Sequence, residues 1–225
     1  MADGDRPDQQ GDRVIGVDEA GKGPVVGSMF VAAVAATPAA LPAGVADSKQ
    51  LPADRRQAVA EQLRGAAGVA VNVVEVPVKR IDDPGTDMNG LTVEGHAAAL
   101  TPLDAGETPV VLDAADTDPD RFARRVADEC GRQVDVRAAH GADESHPVVG
   151  AASVLAKVAR DAHVAALAEQ YDRDVGSGYP SDPTTRAFLR DFLADEGRLP
   201  DAARRSWQTC RDLLSGREQS DLDEF

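Results

Sequence analysis

Four carboxylates stand where apolar runs of the chain give out. Asp18 and Glu19 follow the run at residues 14–17, Asp113 ends a short run at 109–112, and Asp143 precedes a long apolar stretch opened by Pro147. Acids at the ends of buried strands are costly unless something positive compensates them. Four of them drawn together would make a hard-oxygen site suited to Mg²⁺ or Mn²⁺. Such a site can hold two ions about 3.5–4 Å apart, one activating a water and one stabilising the leaving oxygen of a phosphodiester. The plain alternatives are an acidic hairpin loop for the first pair and a capping acid for Asp143, since a helix N-terminus favours negative charge. Adjacent strand residues point to opposite faces, so Asp18 and Glu19 meet one ligand only if the chain turns there. Gly21 and Gly23 permit that turn and a close approach to the backbone.

Two other chemistries are weighed against this one. Gly16-x4-Gly21-Lys22 matches the phosphate-loop pattern up to its last position, where Gly23 stands in place of Ser or Thr. That hydroxyl binds Mg²⁺ in such loops, and acids inside the loop would repel the phosphates it cradles. No Ser/His/Asp arrangement falls at sensible positions, and His140 and His146, which flank Asp143, read as surface or capping histidines.

The elements that must position these residues alternate. A strand, an acidic turn and a second strand fill residues 14–36. A helix is predicted over 52–64, a strand over 69–76, a loop over 82–90 and a helix over 92–100. A strand over 109–112, a helix over 120–130 and a strand over 134–137 follow. After Pro147 comes a long helix whose first turns are apolar nearly all round and therefore buried. Helices near 184–195 and 203–214 close the fold. Strands alternating with helices imply an α/β layered fold, with a site at the strand ends.

Composition fits one globular domain with appendages: 225 residues, 42% hydrophobic and only 4% aromatic. The formal charge is −15, and Lys22, Lys49, Lys79 and Lys157 are the only lysines among 24 basic residues. Dispersed acids, few lysines and many alanines suggest an interior milieu of very high salt. Cys130 and Cys210 lack metal or redox spacing and are expected to stay reduced in a cytoplasmic protein. No membrane-length apolar run exists, and residues 1–12 read as a disordered polar tail.

GVDEAGKGPVVGSM, beginning at Gly16, resembles the first motif of ribonuclease HII, a family that cuts RNA in RNA–DNA hybrids and at single ribonucleotides in duplex DNA. DSKQL from Asp47, LDAADTDPDRF from Leu112 and HGADESHPVVGAASVLAKVARD from His140 continue the resemblance. GSGYPSDP from Gly176 and RSWQT from Arg205 complete it, in family order over roughly residues 13–209, and closest to the archaeal branch. The resemblance implies a ribonuclease H-like α/β fold, with a central mixed five-stranded sheet flanked by helices and a small helical C-terminal part. The catalytic domain would span 13–200, the C-terminal helical part 201–214 and a tail 215–225. The family's four metal-binding acids fall on Asp18, Glu19, Asp113 and Asp143, with Asp116 and Asp118 left as helix-entry residues.

The family loop that reads the ribose 2′-hydroxyl through backbone groups falls on Gly21, Lys22 and Gly23, with lysine where relatives carry arginine. Lysine keeps the charge and loses the bidentate fork. Tyr179 matches the tyrosine that stacks on the sugar, and Lys49 a phosphate contact. The implied reaction is Mg²⁺- or Mn²⁺-dependent hydrolysis on the 5′ side of a ribonucleotide, leaving 3′-hydroxyl and 5′-phosphate ends, by a monomer of a halophilic archaeon. A phosphate-loop nucleotide-binding protein and a non-catalytic nucleic-acid adaptor are the alternatives. Finally, Gln219, Leu222 and Phe225 recur at three-residue intervals, so one helical turn would align them as an apolar plug. The pattern resembles the peptide by which replication and repair enzymes bind the sliding clamp, with one terminal aromatic in place of two.

Overall fold

A computed structural model describes residues 12–45, 52–103 and 105–223, with side chains to Arg217. Lys49, Phe225 and nearly all of the polar N-terminal tail lie outside the described residues. Five strands form one mixed sheet in the order β3-β2-β1-β4-β5. The strands are β1 (Val14–Ala20), β2 (Met29–Ala36), β3 (Ala70–Val76), β4 (Val110–Asp113) and β5 (Val136–Ala139). β2 runs antiparallel to both β1 and β3, while β4 lies parallel to β1 and β5 parallel to β4. The strand carrying Asp18 and Glu19 is thus the centre of the sheet, which explains its apolar approach run.

Eight helices are described: α1 (Ala53–Gly65), α2 (Val78–Ile81), α3 (Met88–Leu100), α4 (Pro119–Glu129), α5 (Ala142–Ser145), α6 (Pro147–Tyr171), α7 (Pro183–Glu196) and α8 (Gln208–Asp223). Helix α6 starts on Pro147 and lies against one face of the sheet, packing Val148, Ala151 and Ala152 on Val14, Ala32 and Val34. Gly16 lets it come that close, because a Cβ there would sit 2.4 Å from the Val148 and Val149 backbone. The other face packs Ile15, Val17 and Met29 against Leu91, Leu100 and Phe122 of α3 and α4. A third cluster joins Val25 and Val26, from the loop after β1, to Phe188, Leu189 and Phe192 of α7 and to Cys210 of α8.

The structure corrects several boundaries. β1 does not turn at Asp18–Glu19 but pairs with β2 through Ala20, and residues 21–28 make the connection that was read as strand from Val25. Helix α3 begins at Met88, not 92, because the Asp87 carboxylate caps it by accepting from the Asn89 and Gly90 amides. β5 lies two residues later than 134–137. The last helix starts at Gln208, not 203, since Ala203 bridges to Val26 and the Asp82 carboxylate holds the Arg205 and Ser206 amides in a turn. It then continues to Asp223, through the segment expected to be a tail.

Candidate active site

Strand register sets the acids side by side. Val17 pairs with Leu112, so Asp18 and Asp113 are the next residues on neighbouring parallel strands, at the same edge of the sheet. Asp113 pairs in turn with Ala139 of β5, and four residues later comes Asp143 in α5. The Ala142 amide donates to Asp113 Oδ1 at 2.8 Å, which ties α5 to the end of β4. Asp18 and Asp143 are each only 5% exposed. Asp116 and Asp118 serve the start of α4, Asp118 as its N-cap and Asp116 paired with Arg121.

Asp18 and Glu19 lean to opposite faces, as a straight strand requires. Asp18 lies under α6, where its carboxylate accepts from the Glu19 amide at 2.7 Å and from the Ser153 hydroxyl. Burial, then the charges of Glu19 and Asp113, push its pKa up to about 7. Glu19 lies under α3, where its Oε2 is 2.9 Å from Nε2 of the fully buried His96. His96 Nδ1 has no hydrogen-bond partner among the described residues, so Nε2 carries the proton and donates. The His96 ring is fixed edge-on against Phe122.

These donors are all carboxylate oxygens, the set that hard divalent cations prefer. Their mutual repulsion, seen at Asp18, is what a cation would relieve. Among the described residues no three acid, histidine or cysteine side chains already surround one point at coordinating distance. A bound ion would have to draw them inward.

Beside the acids runs a cleft lined by Glu19, Gly21, Lys22, Gly23, Arg56, Lys157, Arg160, Asp161 and Tyr179, with Asp161 2.9 Å from the Arg56 guanidinium. Tyr179 is 41% exposed, not a core tyrosine, and its ring stands over the Gly23 backbone: a Cβ added there would be 3.6 Å from it. The Arg160 guanidinium lies 5.3 Å from the centre of the same ring and also donates to Ser177 O. The Val25 and Val26 amides both donate to Gly178 O, at 2.8 and 3.2 Å, which ties the two glycine-rich loops together. The Lys22 ammonium is held by protein acceptors, Asn89 Oδ1 at 3.1 Å and Ala115 O at 2.7 Å. It braces the loop against the start of α3 and the turn after Asp113.

The phosphate-loop pattern is overturned on geometry. Gly16 to Ala20 is strand under α6, and no helix begins after Lys22 to offer a cradle of amides.

Arg56, His96, Ser153, Lys157, Arg160 and Arg204 were given no site role from the sequence. Ser153, Lys157 and Arg160 share one stripe of α6, with Lys157 Nζ 2.8 Å from Ser153 Oγ. That polar stripe, entering as the apolar first turns of α6 give out, was a legible signal. His96, a lone ring followed by three alanines and a leucine, was a weaker one.

The family described as ribonuclease HII matches residues 15–210. A ribonuclease HII of Halobacterium salinarum is 58% identical over 93% of this chain and 98% of its own. Among solved structures, ribonuclease H2 from Pyrococcus horikoshii OT3 superposes with a TM-score of 0.82 at 35% identity, covering 90% of this chain and 97% of that one. The PCNA:RNase HII complex from Archaeoglobus fulgidus gives 0.78 at 36% identity, covering 88% and 95%. With acids on three adjoining elements beside a glycine-lined cleft, and with this likeness along nearly its whole length, the chain belongs to the ribonuclease HII family, endoribonucleases that act on RNA–DNA hybrids.

Proposed function

We propose that the protein hydrolyses the phosphodiester on the 5′ side of a ribonucleotide, in RNA–DNA hybrids and in duplex DNA with embedded ribonucleotides. Its products would carry 3′-hydroxyl and 5′-phosphate ends. The observation that carries this reading is the strand register that sets Asp18 beside Asp113 at one sheet edge, with Glu19, the next residue, lining a cleft that also holds Lys22, Arg56, Lys157 and Arg160. Asp18, Glu19, Asp113 and Asp143 would hold Mg²⁺ or Mn²⁺, in one or two sites. When bound, such an ion supplies an activated water and neutralises charge on the leaving oxygen.

The chain's own residues do the rest. Arg56, Lys157 and Arg160 face the cleft as phosphate partners, and Arg160 keeps Tyr179 in place to stack on the sugar. The backbone amides at residues 21–23 meet the 2′-hydroxyl, the group by which RNA differs from DNA. Lys49 remains a proposed phosphate contact outside the described residues.

A duplex with one ribonucleotide, incubated with Mg²⁺ or Mn²⁺, tests the reaction. Nicking 5′ of the ribonucleotide is expected, and Asp113→Asn or Asp143→Asn should abolish it while the fold survives. Binding without any nick would favour the adaptor reading. The charge of −15 opposes nucleic-acid binding at ordinary ionic strength. At 1 M salt the Debye length is about 3 Å, so that repulsion largely vanishes. Activity should therefore persist in molar KCl, and a peak at low salt with loss by about 1 M would refute the high-salt reading. No described helix is long and apolar enough to cross a membrane; the cytoplasm and a monomeric state are part of the same proposal.

The sliding clamp is the proposed partner. The A. fulgidus complex pairs a relative with PCNA, and here Gln219 and Leu222 fall three residues apart within α8. Phe225, the third anchor, lies outside the described residues. Titrating the clamp of the same organism with the enzyme, with and without residues 219–225, tests this: only the intact chain should bind. Equal binding by both forms would end it.

A further inference from the structure

The loop at residues 21–28 turns three of its carbonyls inward onto one side chain, and two more onto its immediate neighbourhood. The Arg204 guanidinium donates to Gly21 O at 2.6 Å, Lys22 O at 2.9 Å and Gly27 O at 2.9 Å. The Arg204 amide donates to Val25 O at 2.8 Å, and the Trp207 indole reaches Gly23 O at 3.4 Å. Arg204 is fully buried, and its guanidinium stacks over the Trp207 ring at 4.9 Å. Burial lowers its pKa to about 10, so it remains a cation at neutral pH. Carbonyl dipoles of the loop, and not a carboxylate, take up its donors. A buried charge is costly unless its hydrogen bonds are met, so the loop and Arg204 hold each other to one arrangement.

That arrangement decides what the cleft sees. In a planar trans peptide the C=O of one residue and the N–H of the next point in opposite directions. No described peptide is cis. With Gly21 O and Lys22 O turned onto Arg204, the N–H groups of Lys22 and Gly23 face away from it. Among the described residues neither of them donates to a protein acceptor. The peptide after Gly23 has no N–H at all, since Pro24 follows. Two free amide donors are thus presented on a loop that lines the cleft opposite Tyr179.

We infer that Arg204 is a positioning residue for substrate discrimination: by fixing these peptide planes from behind, it sets the preference for a ribonucleotide over a deoxyribonucleotide. The inference rests on the proposed function, in which the loop meets the 2′-hydroxyl. Without the guanidinium the Gly21 and Lys22 carbonyls are left unsatisfied. Either peptide can then flip, which exchanges a donor in the cleft for an acceptor. A lysine keeps the charge but lacks the fork that spans three carbonyls, so it restores part of the effect.

The test compares Arg204→Met, Arg204→Lys and Asp82→Asn in the full chain. Asp82 holds the neighbouring Arg205 and Ser206 amides at 2.7 and 3.0 Å and touches none of the loop carbonyls. Asp82→Asn therefore loosens the same segment without freeing the peptides. The readout is discrimination: Ki of an all-DNA duplex as competitor, divided by KM for the duplex with one ribonucleotide, alongside Tm. We expect this ratio to fall about tenfold in Arg204→Met, the size expected for a lost buried hydrogen-bond set. Arg204→Lys should fall between, and Asp82→Asn should lower Tm with the ratio unchanged. A folded Arg204→Met with the wild-type ratio overturns the inference, as does an equal loss in Asp82→Asn. If Arg204→Met does not fold, Arg204→Lys decides, and a wild-type ratio there overturns it. A wild-type protein that does not nick the ribonucleotide duplex fails the underlying reading instead.

Discussion

Toward α6, β1 presents Val14, Gly16 and Asp18; toward α3 and α4 it presents Ile15, Val17 and Glu19. Where α6 meets β1 the contact is closest at Gly16, under the Val148–Val149 backbone, with Ala151 and Ala152 in the same cluster. The α3 face is built of large residues, Met29, Leu91, Leu100 and Phe122, and in the space between them a whole imidazole fits. So the two acids meet different fates. Close packing leaves Asp18 with a hydroxyl and an amide, short of what a buried charge needs. Larger side chains on the other face leave room for a ring whose N–H meets Glu19 at 2.9 Å. Packing texture, set by residue size several positions away, decides which acid depends most on an added cation.

Single methyl groups are the sharpest probe of that difference. On Gly16 an added Cβ would meet backbone atoms of Val148 and Val149 at 2.4 Å, and nothing there can rotate away. Gly16→Ala should cost about 3 kcal/mol or prevent folding, at the upper end of overpacking costs. Gly95, on α3, meets only side chains, Val31 Cγ2 at 2.8 Å and Val76 Cγ2 at 3.4 Å. Val31 is buried and stiff, so the methyl still overpacks, but alanine favours a helix over glycine by about 1 kcal/mol, and Gly95→Ala should cost about 1 kcal/mol net, well below Gly16→Ala. Denaturant titration in molar KCl measures both, and equal costs would break the contrast between the faces.

Next in size is the unmet charge of Asp18. Its carboxyl is held at about 7 in the folded protein, against an ordinary value of 3.8. Between those values the folded state binds more protons than the unfolded one, so stability falls as pH rises through that window. Above about 7 the penalty is fully present. In a chelator, Asp18→Asn should therefore raise stability at pH 8 by about 2 kcal/mol, flatten the pH dependence between 4 and 7, and abolish nicking. Thermal melts across pH check it. A Tm for Asp18→Asn no higher than wild type would mean that the α6 face already satisfies its acid.

Much of this was legible in the chain. The order of elements, the buried start of α6 and the strand-end acids all follow from local apolar runs and their punctuation. What escaped lies across the sequence. Asp82 fixes residues 205 and 206, and that contact, invisible locally, pushes the start of α8 to Gln208. Arg204 carries no local sign of burial, because the carbonyls it serves are some 180 residues away. The turn expected between Asp18 and Glu19 failed for another reason. Antiparallel pairing to Phe30 extends the strand beyond both acids, and the glycines bend the chain only afterwards. Lys22 was read as a substrate cation, and only the fold brings Asn89 and Ala115 within its reach.

The smallest effect belongs to His96, and it separates holding an acid from stabilising a fold. His96→Leu removes the bond to Glu19 but also removes Nδ1, a buried nitrogen with no partner among the described residues. Leucine refills the apolar contact with Phe122 and removes the unsatisfied Nδ1, which offsets most of the cost of leaving the Glu19 carboxylate, 14% exposed and so within reach of water, without its ring donor. Stability should therefore change by no more than about 1 kcal/mol. Glu19, however, loses the donor that orients it, and freeing a residue that orients a metal-binding group costs about tenfold in activity or ion affinity. The expected outcome is a near-wild-type melt with nicking slowed about tenfold at limiting Mg²⁺, and partly recovered as Mg²⁺ is raised. His96→Gln, which can still donate to the carboxylate, should sit closer to wild type in rate. If His96→Leu nicks at the wild-type rate at every Mg²⁺ concentration, the α3 face packs around Glu19 without holding it. The two faces would then differ in texture alone.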